Sequence, residues 1–206
     1  LLGKLIRILY RFVYRFIPCQ EKTILFISFH GRGYSDNPMA IHQYLSKHSQ
    51  YADYRCIYAI KNHKQKKLKI ENARIIEYFS IAYFFYLARS KYWIANCKLP
   101  KYVLKKDSQV YLQTWHGTPL KKLAHDIEVP EGTTFYRSEM SVEEMRSTYD
   151  NDVSKYNYMI SPSAFTTEVF QSAFAIERER LIETGYPRND ILSNYNSDDI
   201  KKIKDK

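Results

Sequence analysis

The chain has 206 residues, 45% of them hydrophobic and 26% charged, a composition that supports one ordinary folded core and excludes a disordered chain. Its net charge of +10 is lopsided: residues 1–125 hold 22 Lys/Arg against 6 Asp/Glu, and residues 126–206 hold 10 against 16. The basic half attracts phosphate-bearing partners without choosing among lipid, polymer and nucleic acid, while three widely spaced cysteines, Cys19, Cys56 and Cys97, exclude a disulfide framework and a cysteine zinc site.

Residues 1–17 are rich in Leu, Ile and Phe, but Lys4, Arg7, Arg11 and Arg15 recur at three- and four-residue steps and so form one stripe on a helix. Each such charge costs about 2.5–3.5 kcal/mol at the centre of a bilayer, which rules out a span. The spacing predicts an amphipathic helix over 1–18 that lies on an anionic membrane surface, ended by Pro18. The alternative is a helix that docks its Leu/Ile/Phe face on the rest of the protein. Absence of an initial Met and the lysine-rich end at 201–206 read as cuts in a longer protein, with 197–206 the start of a linker.

Beyond the helix, Thr23–Phe29 has the apolar, β-branched composition of a buried parallel strand. The loop HGRGYSDNP follows, then a helix over Met39–Lys47 with Asp36 or Asn37 as its N-cap and Pro38 in its first turn. Tyr54–Ile60 reads as a strand, Lys61–Lys69 as a solvated connection, Ala73–Tyr78 as a short strand, Ile81–Ala88 as a helix and Tyr92–Ala95 as a strand. Val110–Thr114 is a further strand, ending in the polar cluster Trp115-His116-Gly117-Thr118-Pro119, with Lys121, Lys122 and Leu123 opening a helix. After an acidic excursion with a helix around Val142–Thr148 come the strand Tyr158–Ser161, the helix Ala164–Phe174 and the strand Leu181–Thr184, capped by Gly185–Asp190. The alternation defines an α/β domain with a doubly wound parallel sheet, residues 19–196, in which ligands bind at the carboxyl ends of the strands. The nineteen tyrosines fit half-buried packing positions.

Four loops fall at such strand ends: 30–37, 96–100, 116–119 and 185–190. His116, between a strand and a helix, is suited to take a proton from an alcohol near neutral pH, with Gly117 allowing close approach and Thr118 offering a hydroxyl. Gly31, Arg32 and Gly33, with Asp36 and Asn37, resemble a phosphate cradle before a helix N-terminus, but the loop lacks the third glycine of a dinucleotide site and is no Walker loop. Lys121, Lys122 and Arg188 offer charge to a phosphate. The histidines show no metal-ligand spacing, and no cofactor is called for.

Four blocks, SFHGRGYSDNPMAIHQYL, YWIANCKLPKYVLKK, YLQTWHGTPLKKLAHD and YMISPSAFTTEVFQSAF with ETGYPRND, resemble the CDP-glycerol glycerophosphotransferase family of teichoic-acid primases and polymerases. The resemblance implies a Rossmann-like acceptor-side domain, the N-terminal half of a glycosyltransferase-B-like fold, whose donor domain lies beyond this chain. It implies that His116 is the base on a lipid-linked polyol-phosphate acceptor, whose hydroxyl attacks CDP-glycerol or CDP-ribitol and releases CMP. Gly31, Arg32, Gly33, Asp36, Asn37, Gly117, Thr118, Lys121, Lys122, Arg188, Asn189 and Asp190 are the candidate substrate contacts. A peripheral enzyme at the cytoplasmic face of the membrane follows, with Lys4, Arg7, Arg11 and Arg15 on the surface. A nucleotide-sugar transferase of the same architecture is the alternative. A nucleic-acid partner is not expected, because the aromatics fall inside strand and helix patterns instead of alternating with basic residues on one surface.

Overall fold

The computed structural model describes residues 2–64, 67–128 and 140–204. Seven strands, β1 (Gln20–Ile27), β2 (Arg55–Ile60), β3 (Ala73–Glu77), β4 (Ser90–Ala95), β5 (Val110–Gln113), β6 (Tyr158–Ser161) and β7 (Leu181–Glu183), form one parallel sheet in the order β3-β2-β1-β4-β5-β6-β7. The order reverses between β1 and β4, so the crevice expected of a doubly wound sheet opens at their carboxyl ends.

Alternation along the strands divides the core in two. Leu25, Ile27, Ile57, Trp93, Tyr111 and Met159 face one side, and Ile24, Phe26, Cys56, Tyr58, Ile60 and Ile94 the other. The helices α1 (Leu2–Val13), α2 (Asp36–Lys47), α3 (Ile81–Arg89), α4 (Val142–Val153) and α5 (Ala164–Phe174) surround the sheet, and the short α6 (Ile191–Asn194) and α7 (Ser197–Lys204) close the chain. The segment expected as a linker is therefore helical over Ser197–Lys204. Tyrosines go deeper than half-buried positions: Tyr58, Tyr83 and Tyr111 are fully enclosed. Tyr58 shares a 2.6 Å hydrogen bond with Ser28, and Tyr111 accepts one of 3.1 Å from Gln113.

Boundaries differ from the sequence reading where side chains have distant work. β1 stops at Ile27 because Phe29 and His30 turn to positive φ, 44° and 54°. α2 begins at Asp36, after Ser35, and neither Asp36 nor Asn37 caps it, since both side chains reach other loops. No helix opens at Lys121: Leu123 is extended, Ala124 takes φ 42°, and only a short 3₁₀ turn, Ala124–Asp126, follows. α4 runs further than expected, started by a capping box between Ser141 and Glu144.

α1 contacts the domain by a face other than the Leu/Ile/Phe face of the docking alternative. Tyr10 is buried and donates its hydroxyl to the Leu104 carbonyl at 2.9 Å, and the Arg7 guanidinium stands 4.8 Å from the Tyr102 ring centroid. The Leu/Ile/Phe face stays outside: Leu5, Ile8, Leu9 and Phe12, with Phe16 in the turn that follows, are all exposed. Among the described residues no helix is long and apolar enough to cross a membrane.

Two local features carry predictions. Gly31 has φ +81°, and a Cβ there would lie 2.7 Å from Cβ and Cγ of Tyr78, so its glycine is required by conformation and by packing. Gly31→Ala should lower unfolding free energy by about 2–4 kcal/mol in urea titrations, and an unchanged midpoint would refute the constraint. Asp152 is fully buried, accepts from the Leu99 amide at 3.0 Å and the Tyr156 hydroxyl at 2.5 Å, and burial raises its carboxyl to about 6 despite those bonds. A folded-state value above the unfolded one means that the native protein binds the extra proton, so this group's contribution declines as pH rises from about 4 to about 6. Relative to Asp152→Asn, the wild type should lose about 3 kcal/mol over that window, measured by urea unfolding at several pH values; a flat difference would contradict it.

Candidate active site

The carboxyl ends of β1, β4, β5 and β7 bring the four loops together. β5 is followed by Thr114, whose amide and hydroxyl both reach the Ala95 carbonyl, at 2.8 and 3.3 Å. Trp115 then takes φ 52° with its indole buried against Phe170 and Phe174, ring centroids 6.0 and 4.9 Å away. That left-handed turn swings the next residue, His116, out to an exposed position at the sheet edge.

The imidazole of His116 is held on three sides. It stacks on Trp115 with centroids 4.4 Å apart, meets the Phe29 ring edge at 5.8 Å, and places Nδ1 2.5 Å from the backbone carbonyl of Asn96. A carbonyl only accepts, so Nδ1 donates and the neutral ring keeps its lone pair on Nε2. This tautomer is the one a base at the exposed edge requires.

Asn96 also fixes the loop from β1. Its Oδ1 accepts from the Phe29 amide at 2.8 Å, and its Nδ2 donates to Asp36 Oδ2 at 2.5 Å. The other Asp36 oxygen accepts from Arg188, whose Nη1 also donates to the His116 carbonyl at 3.0 Å. Asn37 links the same parts: its Nδ2 donates to the Thr114 and Trp115 carbonyls, and its Oδ1 accepts from the Arg188 amide. Tyr186 completes the ring by donating to the Gly117 carbonyl at 2.8 Å.

The candidate residues thus sort by position. His116, Asp36, Asn37 and Arg188 form one network, but the Arg188 charge is directed at Asp36, and the Asp36 carboxylate stands at the α2 N-terminus where a phosphate was expected. Gly31 lies under Tyr78 as a packing residue, whereas Gly33 and Gly117 border open space. Arg32 and Thr118 are exposed, Lys121 is exposed, and Lys122 pairs with Glu128. Asn189 and Asp190 are exposed and send no side-chain hydrogen bond into the network. Sequence reasoning marked the loop 96–100 but did not name Asn96 as a site residue, although its place directly after the strand YWIA is a signal of the kind that singled out His116. It also missed His30 as a group in the site: burial, then Lys61, Arg32, Lys98 and His116, lower its imidazole below the ordinary range.

Comparison with known proteins finds relatives over nearly the whole chain. Residues 8–206 match the family described as CDP-glycerol:poly(glycerophosphate) glycerophosphotransferase. A teichoic acid poly(glycerol phosphate) polymerase of Bacillus spizizenii is 38% identical over 98% of this chain and 50% of its own length. A teichoic acid glycerol-phosphate transferase of Staphylococcus aureus is 37% identical over 86% of this chain and 44% of its own length. A solved wall teichoic acid polymerase TagF variant, soaked with CDPG, superposes with a TM-score of 0.88 and 35% identity, covering 98% of this chain and 48% of that one. The chain therefore spans about half the length of these relatives. With a family match over residues 8–206 and relatives 37–38% identical over most of its length, the chain belongs to the CDP-glycerol:poly(glycerophosphate) glycerophosphotransferase family.

Proposed function

We propose that this chain is the acceptor-side half of an enzyme that transfers glycerol phosphate from CDP-glycerol to a lipid-linked polyol-phosphate acceptor and releases CMP. The observation that carries the reading is the Nδ1 contact of His116 with the Asn96 carbonyl, which leaves a basic Nε2 free at the carboxyl edge of the sheet. Nε2 takes the proton of the acceptor hydroxyl while its oxygen forms a bond to the β-phosphorus, and the bond from that phosphorus to the CMP oxygen breaks. Glycerol is favoured over ribitol by the names of the relatives, and the donor is held by a domain beyond this chain, in a glycosyltransferase-B-like arrangement.

The same reading puts the protein on the cytoplasmic face of the membrane through α1. Support comes from the exposed Leu5, Ile8, Leu9, Phe12 and Phe16, flanked by the stripe of Lys4, Arg11 and Arg15. Arg7 stands apart from the other three, being stacked over Tyr102 and Phe79 of the domain.

Two experiments test the proposal. In the full-length gene product with CDP-glycerol and a lipid-linked acceptor, His116→Ala should reduce CMP release by roughly 10²–10⁴; a folded variant with near-normal turnover would remove His116 from the chemistry. In sedimentation with phosphatidylglycerol vesicles, changing Lys4, Arg11 and Arg15 to Gln should weaken binding by about 1 kcal/mol each, and Arg7→Gln by less. Binding that survives the triple change and also Phe12→Ser would refute attachment through this helix.

A further inference from the structure

Between the loop after β4 and the helix α4 lies an open cavity of about 570 Å³ that the network around His116 does not use. Lys98 and Lys101 give it positive charge, His30 lines it with an imidazole, and Leu99, Met145 and Tyr149 give it an apolar wall. Lys98 is held in place by neutral partners: its Nζ donates to Thr148 Oγ1 at 3.0 Å and stands 3.4 Å from the centroid of the Tyr149 ring. Lys101 reaches only Ser147 Oγ, at 3.5 Å. Among the described residues neither lysine makes a salt bridge.

Burial lowers the Lys98 ammonium below its ordinary range and Lys101 adds to the effect, with Asp152 opposing. His30 is lowered by burial and by neighbouring cations, Lys98 among them. Cations that disfavour one another in a partly desolvated cavity are stabilised together by an anion. The volume suits a small organic ligand, whereas a bare phosphate would leave the apolar wall uncovered. The cavity adjoins the base by two routes: Lys98 is two residues from Asn96, and His30 follows Phe29, whose ring touches His116.

We infer that this cavity binds the acceptor through an organic phosphate. Lys98 and Lys101 hold its oxygens, and the attached carbon chain lies along Leu99, Met145 and Tyr149, so that a hydroxyl elsewhere in the same molecule reaches Nε2 of His116. The inference rests on the acceptor-side reading above and extends it to a subsite. A phosphodiester of the polyol chain and the diphosphate of a prenyl carrier share the required chemistry.

The test is calorimetric titration of the full-length protein, without CDP-glycerol, using glycerophosphoglycerol, geranyl diphosphate and inorganic phosphate. At least one organic phosphate should bind more tightly than inorganic phosphate, and the tighter of the two identifies the occupant as polymer or lipid end. Lys98→Met should weaken that binding roughly 10- to 100-fold, the value of a hydrogen bond to a charged group, while Lys98→Arg retains most of it. Thr148→Val, which removes the hydroxyl partner and leaves the charge, should stay close to wild type; if Lys98→Met does not fold, the exposed Lys101→Met carries the same expectation. The inference is overturned if neither organic phosphate outcompetes inorganic phosphate, or if the lysine variant that folds binds as well as wild type. Lys98-dependent binding without CMP release would sink the transfer reading and keep the subsite; CMP release without such binding would do the reverse.

Discussion

The carboxylate of Asp36 is the point on which the carboxyl edge of the sheet depends. Its side chain is 5% exposed and takes hydrogen bonds from Asn96 and Arg188, residues contributed by the loop after β4 and by the turn after β7. Removing one partner of a buried charge pair typically costs about 3–5 kcal/mol, because the remaining charge is left without compensation. Here the loss would spread further, since Asn96 also positions the His116 ring and Arg188 also fixes the peptide that carries it. Charge that looks available to a substrate in the sequence is therefore spent on assembling the site.

Much of the fold was legible because it rests on local composition. Runs such as TILFI, RCIYAI and YMIS have the β-branched and aromatic character of strands buried on both faces, and all occur in the sheet. His116 and the four converging loops were legible from their places after strands. What the sequence hid is conformational or long-range. Positive φ at Phe29, His30, Trp115 and Ala124 bends the chain at residues that carry no turn signal. Asp36 and Asn37 look like helix caps, yet their partners lie 60 to 152 residues away, at separations that no local pattern encodes. Lys98 reads as one basic residue among many until α4 supplies the hydroxyl and the ring that hold it.

One loop, between β4 and β5, joins the features that charge and hydropathy suggest separately. Its Tyr102 and Leu104 anchor α1, its Lys98 and Lys101 face the cavity, and Leu99 is tied by its amide to Asp152 of α4. The exposed face of α1 and the position of the His116 ring are thus anchored on the same short stretch of backbone.

The stacking of His116 on Trp115 gives the protein an optical property as well as a geometric one. The chain has only two tryptophans, and the other, Trp93, is sealed inside the sheet. An excited indole passes an electron far more readily to a cationic imidazolium than to a neutral imidazole, so emission from Trp115, stacked 4.4 Å from His116, should fall when that ring is protonated. The state of the His116 ring should therefore be readable in the intrinsic fluorescence, where it can be followed in solution without a label or a substrate.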